Sequence, residues 1–247
     1  MFRFVFTDQS VFVYPMMLIL AIISGYSLAV ILLIKQKVKF EYIIYSIMLN
    51  SVFMFSGATM FTLVTVPSIL KELSFPFLIP LSSAGAGMGM LTGTISMSFL
   101  VPFAKKEFLY SYGLSVPLIY AISKIGCFFA GCCKGITYEG ILAADYNLKS
   151  RASGVHFPVQ LAETIVFLFI FAFCFILYIR KKTKYLMVIL LLFSALAKFS
   201  LDYLRIAHVG KIITMNQIAC IIFILFAVVW LLSIIKKNKT CNESTVE

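Results

Sequence analysis

Seven stretches of this chain are apolar for about 20 residues each, the length a helix needs to cross a ~30 Å hydrocarbon core. They run from Val11 to Ile34, Tyr42 to Val66, Phe77 to Phe103, Phe108 to Cys133, Val159 to Ile179, Tyr185 to Leu204 and Ile212 to Ile235. A segment in lipid must satisfy its own backbone hydrogen bonds, which leaves helices as the available spanning form for such runs. The pattern predicts an all-α, polytopic membrane protein of seven transmembrane helices, a single integral membrane domain over residues 1–247. With 62% hydrophobic and 13% charged residues, a soluble domain is excluded. The first window is too long for a secretory signal, and Lys35, Lys37 and Lys39 follow it.

The net charge of +11 raises nucleic-acid binding, but its placement argues for topology. Lys35, Lys37, Lys39, Lys105, Lys106, Arg180, Lys181, Lys182, Lys184, Lys236, Lys237 and Lys239 fall on one side of the expected spans, against Arg3, Lys71, Lys134, Lys149, Arg151, Arg205 and Lys211 on the other. The positive-inside rule then puts the amino terminus outside and the carboxyl terminus in the cytoplasm, with 236–247 as a cytoplasmic tail and 134–158 as an external loop. The remaining role of the charge is attraction to anionic lipid head groups.

Within the fourth run, KIGCFFAGCCKG sets Lys124 and three cysteines at membrane depth. Charges there are rare unless paired, hydrated or used. The spacing of Cys127, Cys132 and Cys133 matches neither a C-x-x-C redox pair nor a usual zinc set, so no metal is expected. Cys174 and Cys220 read as packing residues, and a lone Asn50 as an interhelical hydrogen-bonding group. SSAGAGMGMLTG spaces Gly85, Gly89 and Gly93 by four. Such a stripe serves close helix packing or clears room for a lipid head group. Phe2, Phe4 and Phe6 alternate with polar neighbours and read as membrane anchoring.

Further along, Gln160 and Glu163 share a face, and Lys198, Asp202 and Arg205 stack on one helical stripe by offsets of four and seven. At ~1.5 Å per residue, Lys124, Lys198, Gly85 and Glu163 all fall in the outer half of the core. Two cations, a carboxylate, a glycine-lined gap and the Cys127 thiol at one depth compose a pocket for an anionic head group. His156 reads either as a proton acceptor or as a surface residue of the loop.

These segments resemble the prolipoprotein diacylglyceryl transferases, seven-span enzymes of bacterial plasma membranes. Lys124, Gly126, Cys127, Phe128, Gly131 and Cys132 stand at positions of the family's G-R-x-G-N-F-x-N-G-E, and the GCFFAGCC form is similar to a divergent branch. FPVQLAE, Phe157 to Glu163, is similar to H-P-x-Q-L-Y-E, with Pro158, Gln160, Leu161 and Glu163 matching and His156 one residue early. AKFSLDYLR is similar to R-F-x-x-E-x-x-R, with Lys198 in place of arginine, Asp202 keeping the acid and Arg205 agreeing. SAGAGMGMLTG keeps Gly85 and Gly89 of H-G-G-L-I-G-G, with Ala84 at the histidine position, and Tyr14 corresponds to a tyrosine of the first span.

The resemblance implies transfer of a diacylglyceryl group from phosphatidylglycerol to the cysteine thiol of a lipoprotein precursor's signal peptide, without cofactor, by a monomer in the plasma membrane. Lys124, Lys198 and Arg205 would hold the phosphate, Asp202 would orient Lys198, and Glu163 or His156 would accept the thiol proton. Gly85, Gly89, Gly126, Cys127, Gln160 and Tyr14 would line the substrate. Lysine keeps arginine's charge without its bidentate fork. Two alternatives stay open: Cys127 as a covalent lipid carrier, or a protein that binds anionic lipid, or modifies another acceptor, without transferase activity.

Overall fold

The computed structural model describes residues 3–7, 12–65, 81–148 and 154–243. Lys71, Lys149, Arg151, the start of the expected third span at Phe77 and the last residues of the tail lie outside them. Seven α-helices are described, one for each apolar run: α1 (Val13–Lys35), α2 (Phe40–Thr65), α3 (Ser83–Leu100), α4 (Lys105–Ala130), α5 (Val159–Ile179), α6 (Leu186–Asp202) and α7 (Met215–Glu243). α7 carries on through Glu243, so much of the expected tail continues a helix. Among the described residues, five helices are long and apolar enough to cross a membrane: Val13–Lys35, Phe40–Thr65, Pro102–Ala130, Val159–Ile179 and Met215–Lys236. α3 and α6, at 18 and 17 residues, are the short ones. The chain is built as a multi-pass membrane protein.

The all-α expectation needs one addition. Arg3–Thr7 is a strand, β1, which runs parallel to β2 (Ala143–Leu148), and β2 pairs antiparallel with β3 (Val155–His156). The alternation of phenylalanines read as membrane anchoring is the period of a strand, which sends successive side chains to opposite faces. Phe6 is buried and Phe4 half-exposed. Phe6 stacks on Tyr146 at 4.9 Å and meets the edge of Phe128 at 4.8 Å. The loop expected at 134–158 is thereby partly a sheet seated on the end of α4.

Two compact units divide the chain, residues 18–122 and residues 1–17 with 123–247. In the first, Ala29, Leu33, Ile43, Met54, Met90, Met97, Phe108 and Tyr112 form the core. The α2–α3 seam needs glycine: a Cβ on Gly89 would run into the Phe53 carbonyl and one on Gly85 into that of Gly57. Asn50 accepts a hydrogen bond from Thr94 Oγ1 across this seam at 3.1 Å, as expected of a lone span asparagine. The second unit packs α6 against both α5 and α7 and holds the sheet.

Candidate functional site

Glu163 is fully buried on the first turns of α5, a carboxylate that would be costly to place there alone. Three cations from different parts of the second unit close on it. Lys198 Nζ, from α6, donates to Oε1 at 2.7 Å. Arg205 Nη2 donates to both carboxylate oxygens at 2.7 Å. Lys124 Nζ, near the end of α4, stands 3.4 Å from Oε2. Lys124 and Lys198 therefore share one surrounding. Lys124 is only 1% exposed and Arg205 7%, so the ions stabilise one another with little help from water.

Asp202 has different neighbours from the expected ones. Its Oδ2 accepts from Thr214 Oγ1 at 2.5 Å, and its Oδ1 lies 3.6 Å from Arg205 Nε. It braces Arg205, while the contact of Lys198 is with Glu163. Among the described residues, three cations against two carboxylates leave a surplus of one positive charge in a buried cluster, the electrostatic complement of an anion.

Arg205 reaches the cluster from a turn beyond the helical stripe. α6 ends at Asp202, and Arg205 is extended (φ −92°, ψ 141°). Its segment is laddered to the chain after α4: Ile136 N donates to Leu204 O at 2.9 Å and Ile206 N to Lys134 O at 3.1 Å. The same ribbon meets β3 on its other side, where Phe157 N donates to Ile136 O at 2.9 Å. Gly135 is required at this double junction, since a Cβ would collide with the Phe157 carbonyl.

His156 is buried in β3, against the surface-loop expectation, because β2 and the ribbon cover it from both sides. Its Nδ1 lies 3.1 Å from Gly135 O, within hydrogen-bonding distance. Gln160 Nε2 donates to Cys132 O at 2.7 Å. Tyr146 Oη donates to Phe128 O at 2.8 Å, and burial pushes this hydroxyl up from its ordinary range, keeping it a donor. Gly126 lets α4 approach α1: a Cβ would stand 3.0 Å from Met17 Cβ and 3.2 Å from the carbonyl of half-buried Tyr14.

Gly85 and Gly89 belong to the other unit. There they form part of an open, mostly apolar groove of about 400 Å³ with Phe53, Phe61 and Met88, besides their backbone contact with α2. Thr214 and Gln217 were missed at the sequence level. Thr214 N donates to Gln217 Oε1 at 2.9 Å and Gln217 N to Thr214 Oγ1 at 3.2 Å. This reciprocal box starts α7, and the T-x-x-Q before an apolar run was its legible sign.

Cys127 ends in company the spacing did not foretell. α4 stops at Ala130, Gly131 takes φ 73°, and Cys133 takes φ 55°, a left-handed conformation that costs a non-glycine residue roughly 1–2 kcal/mol. The reversal brings Sγ of Cys127, Cys132 and Cys133 within 4.8 Å of one another.

A family model described as prolipoprotein diacylglyceryl transferase matches residues 2–233, nearly the whole chain. No curated protein sequence matches it.

Proposed function

Since this chain belongs to the prolipoprotein diacylglyceryl transferase family, we propose that it moves a diacylglyceryl group from phosphatidylglycerol to the cysteine thiol of a lipoprotein precursor. We place it in a bacterial plasma membrane, with α1 to α7 as seven spans, the amino terminus outside and the carboxyl terminus in the cytoplasm. The observation that carries the reading is the convergence of Lys124, Lys198 and Arg205 on Glu163, which with Asp202 leaves one positive charge in surplus among the described ion pairs.

The chemistry asks for such a cluster. As the thiolate sulfur bonds to the glyceryl carbon, the carbon–oxygen bond breaks and its electron pair leaves on a phosphate oxygen as glycerol phosphate. Charge grows on that oxygen in the transition state, where fixed cations lower the barrier. Lys124, whose Nζ stands 3.4 Å from Glu163 Oε2, is the cation we assign to the phosphate. Arg205 and Lys198 hold Glu163, and Asp202 holds Arg205, so the remaining cations stay aimed. Glu163 then acts as the hub that positions the clamp, because both its oxygens already accept hydrogen bonds. We assign the thiol proton to His156. Gln160, Gly126, Cys127 and Tyr14 border this region of α1, α4 and α5.

The test supplies purified protein with phosphatidylglycerol and a lipobox peptide. A mass gain of one diacylglycerol on the cysteine is expected. No gain, beside a competent control enzyme, removes the transferase assignment and leaves a lipid-binding protein.

A further inference from the structure

Three thiols of this chain meet outside the ion cluster, and packing does not account for them. Cys127 is buried, Cys132 is half-buried and Cys133 is exposed. None of the three is in a disulfide, and their sulfurs lie within 4.8 Å of one another. The backbone is bent to achieve this. Two left-handed residues, Gly131 and Cys133, reverse the chain directly after α4. The turn is then fixed by Gln160 on the Cys132 carbonyl, Tyr146 on the Phe128 carbonyl and a Cys132 Sγ contact to Cys127 O at 3.7 Å. An exposed cysteine in a strained conformation, aimed at two other sulfurs, is costly if its only purpose is to fill space.

We propose that Cys127, Cys132 and Cys133 form a three-thiolate zinc site whose open fourth position takes the acceptor cysteine and holds it as a thiolate. Soft sulfur ligands select zinc and similar thiophilic cations over magnesium or calcium. Zn–S bonds of ~2.3 Å set tetrahedral sulfurs about 3.8 Å apart, so the group closes by about 1 Å or less through side-chain rotation. Three protein ligands with a vacant corner are the arrangement of reactive rather than structural zinc, and among the described residues the cluster comprises these three alone. The exposed side of Cys133 gives the fourth ligand its entry. Lys124 lies three residues before Cys127, on the same helical face, which places the phosphate clamp next to the metal.

This inference rests on the transferase reading for its acceptor. The acceptor S–H loses its proton to water or to His156 as the sulfur binds zinc, since coordination deprotonates a thiol outright. The thiolate then attacks the glyceryl carbon, the S–C bond forms, the C–O bond breaks, and the pair departs on phosphate. The thioether product is a weaker ligand and leaves the metal. No oxidant or reductant is involved.

Full-length protein in detergent, equilibrated with zinc and dialysed, is expected to retain one zinc per chain. Cys133→Ser and Cys132→Ser should bind at least tenfold more weakly, and Cys174→Ser as tightly as the parent. Because Cys133 is exposed, its serine variant should unfold at the parent's temperature. Cobalt-loaded protein should show thiolate-to-cobalt charge-transfer absorption that changes with a lipobox peptide and is unmoved by the peptide bearing serine. Absence of bound metal, equal binding by the triple serine variant, or a disulfide among the three in protein isolated without reductant would overturn the site. Metal binding with a peptide-responsive cobalt spectrum but no lipid transfer upholds the site and removes the transferase reading. Undiminished transfer by zinc-free Cys133→Ser keeps that reading and rejects the metal.

Discussion

Replacing Glu163 by glutamine changes one charge and almost no volume, so its effect isolates electrostatics. The parent cluster holds three cations and two carboxylates; in Glu163→Gln the surplus rises from one positive charge to two. Lys198 and Arg205 lose the acceptor they approach at 2.7 Å. With Lys124 1% exposed, water is poorly placed to compensate. Breaking a buried pair by removing one partner costs about 3–5 kcal/mol, and each kcal/mol lowers the melting temperature of a chain of this size by about 2–4 °C. A fall of roughly 6–20 °C is expected by intrinsic fluorescence in a single detergent. Adding Lys198→Met to Glu163→Gln should recover part of the loss, because the double variant buries one cation fewer. If Glu163→Gln melts within about 1 °C of the parent, under half a kcal/mol by the same scale, the ions do not share a buried site and the cluster is not what organises this unit.

Two further substitutions probe the supports of the cluster. Arg205→Lys keeps the charge but has one nitrogen where arginine uses two, Nη2 on both Glu163 oxygens and Nε 3.6 Å from Asp202 Oδ1, so it cannot face both carboxylates in that geometry. Transfer of diacylglyceryl to peptide should fall at least tenfold, with a melting temperature above that of Glu163→Gln. Thr214→Val removes both the hydroxyl on Asp202 and the cap of α7; a loss of ~1–2 kcal/mol is expected, read as a melting shift, and Thr214→Ser should restore most of it.

Much of the scaffold could be read from the chain because lipid enforces simple rules. Apolar runs of spanning length became helices, and the residues that violate apolarity, Lys124, Glu163 and Lys198, met because buried charges must neutralise one another. Arg205 was expected on a helical stripe and came from a turn, a difference set by the ladder between Ile136 and Leu204. Such pairing joins segments far apart in sequence, and periodicity within either one does not encode it. The sheet escaped for the same reason. β1 shows its alternation locally, but its partner β2 lies beyond four helices. His156 became buried through that pairing. The cysteine spacing was uninformative, since the sulfurs gather through backbone reversal at Gly131 and Cys133, which ligand spacing rules for helices and zinc knuckles do not describe.

The cations around Glu163 are proposed to serve a phosphate that leaves. The most direct measurement is glycerol phosphate released from phosphatidylglycerol vesicles per peptide alkylated, for the parent and for Lys124→Met. One glycerol phosphate per modified peptide is expected in the parent, with a rate about 10²–10³ lower in the variant, the usual cost of removing one group that stabilises developing negative charge. Equal rates in the two proteins would mean that Lys124 does not meet the leaving phosphate.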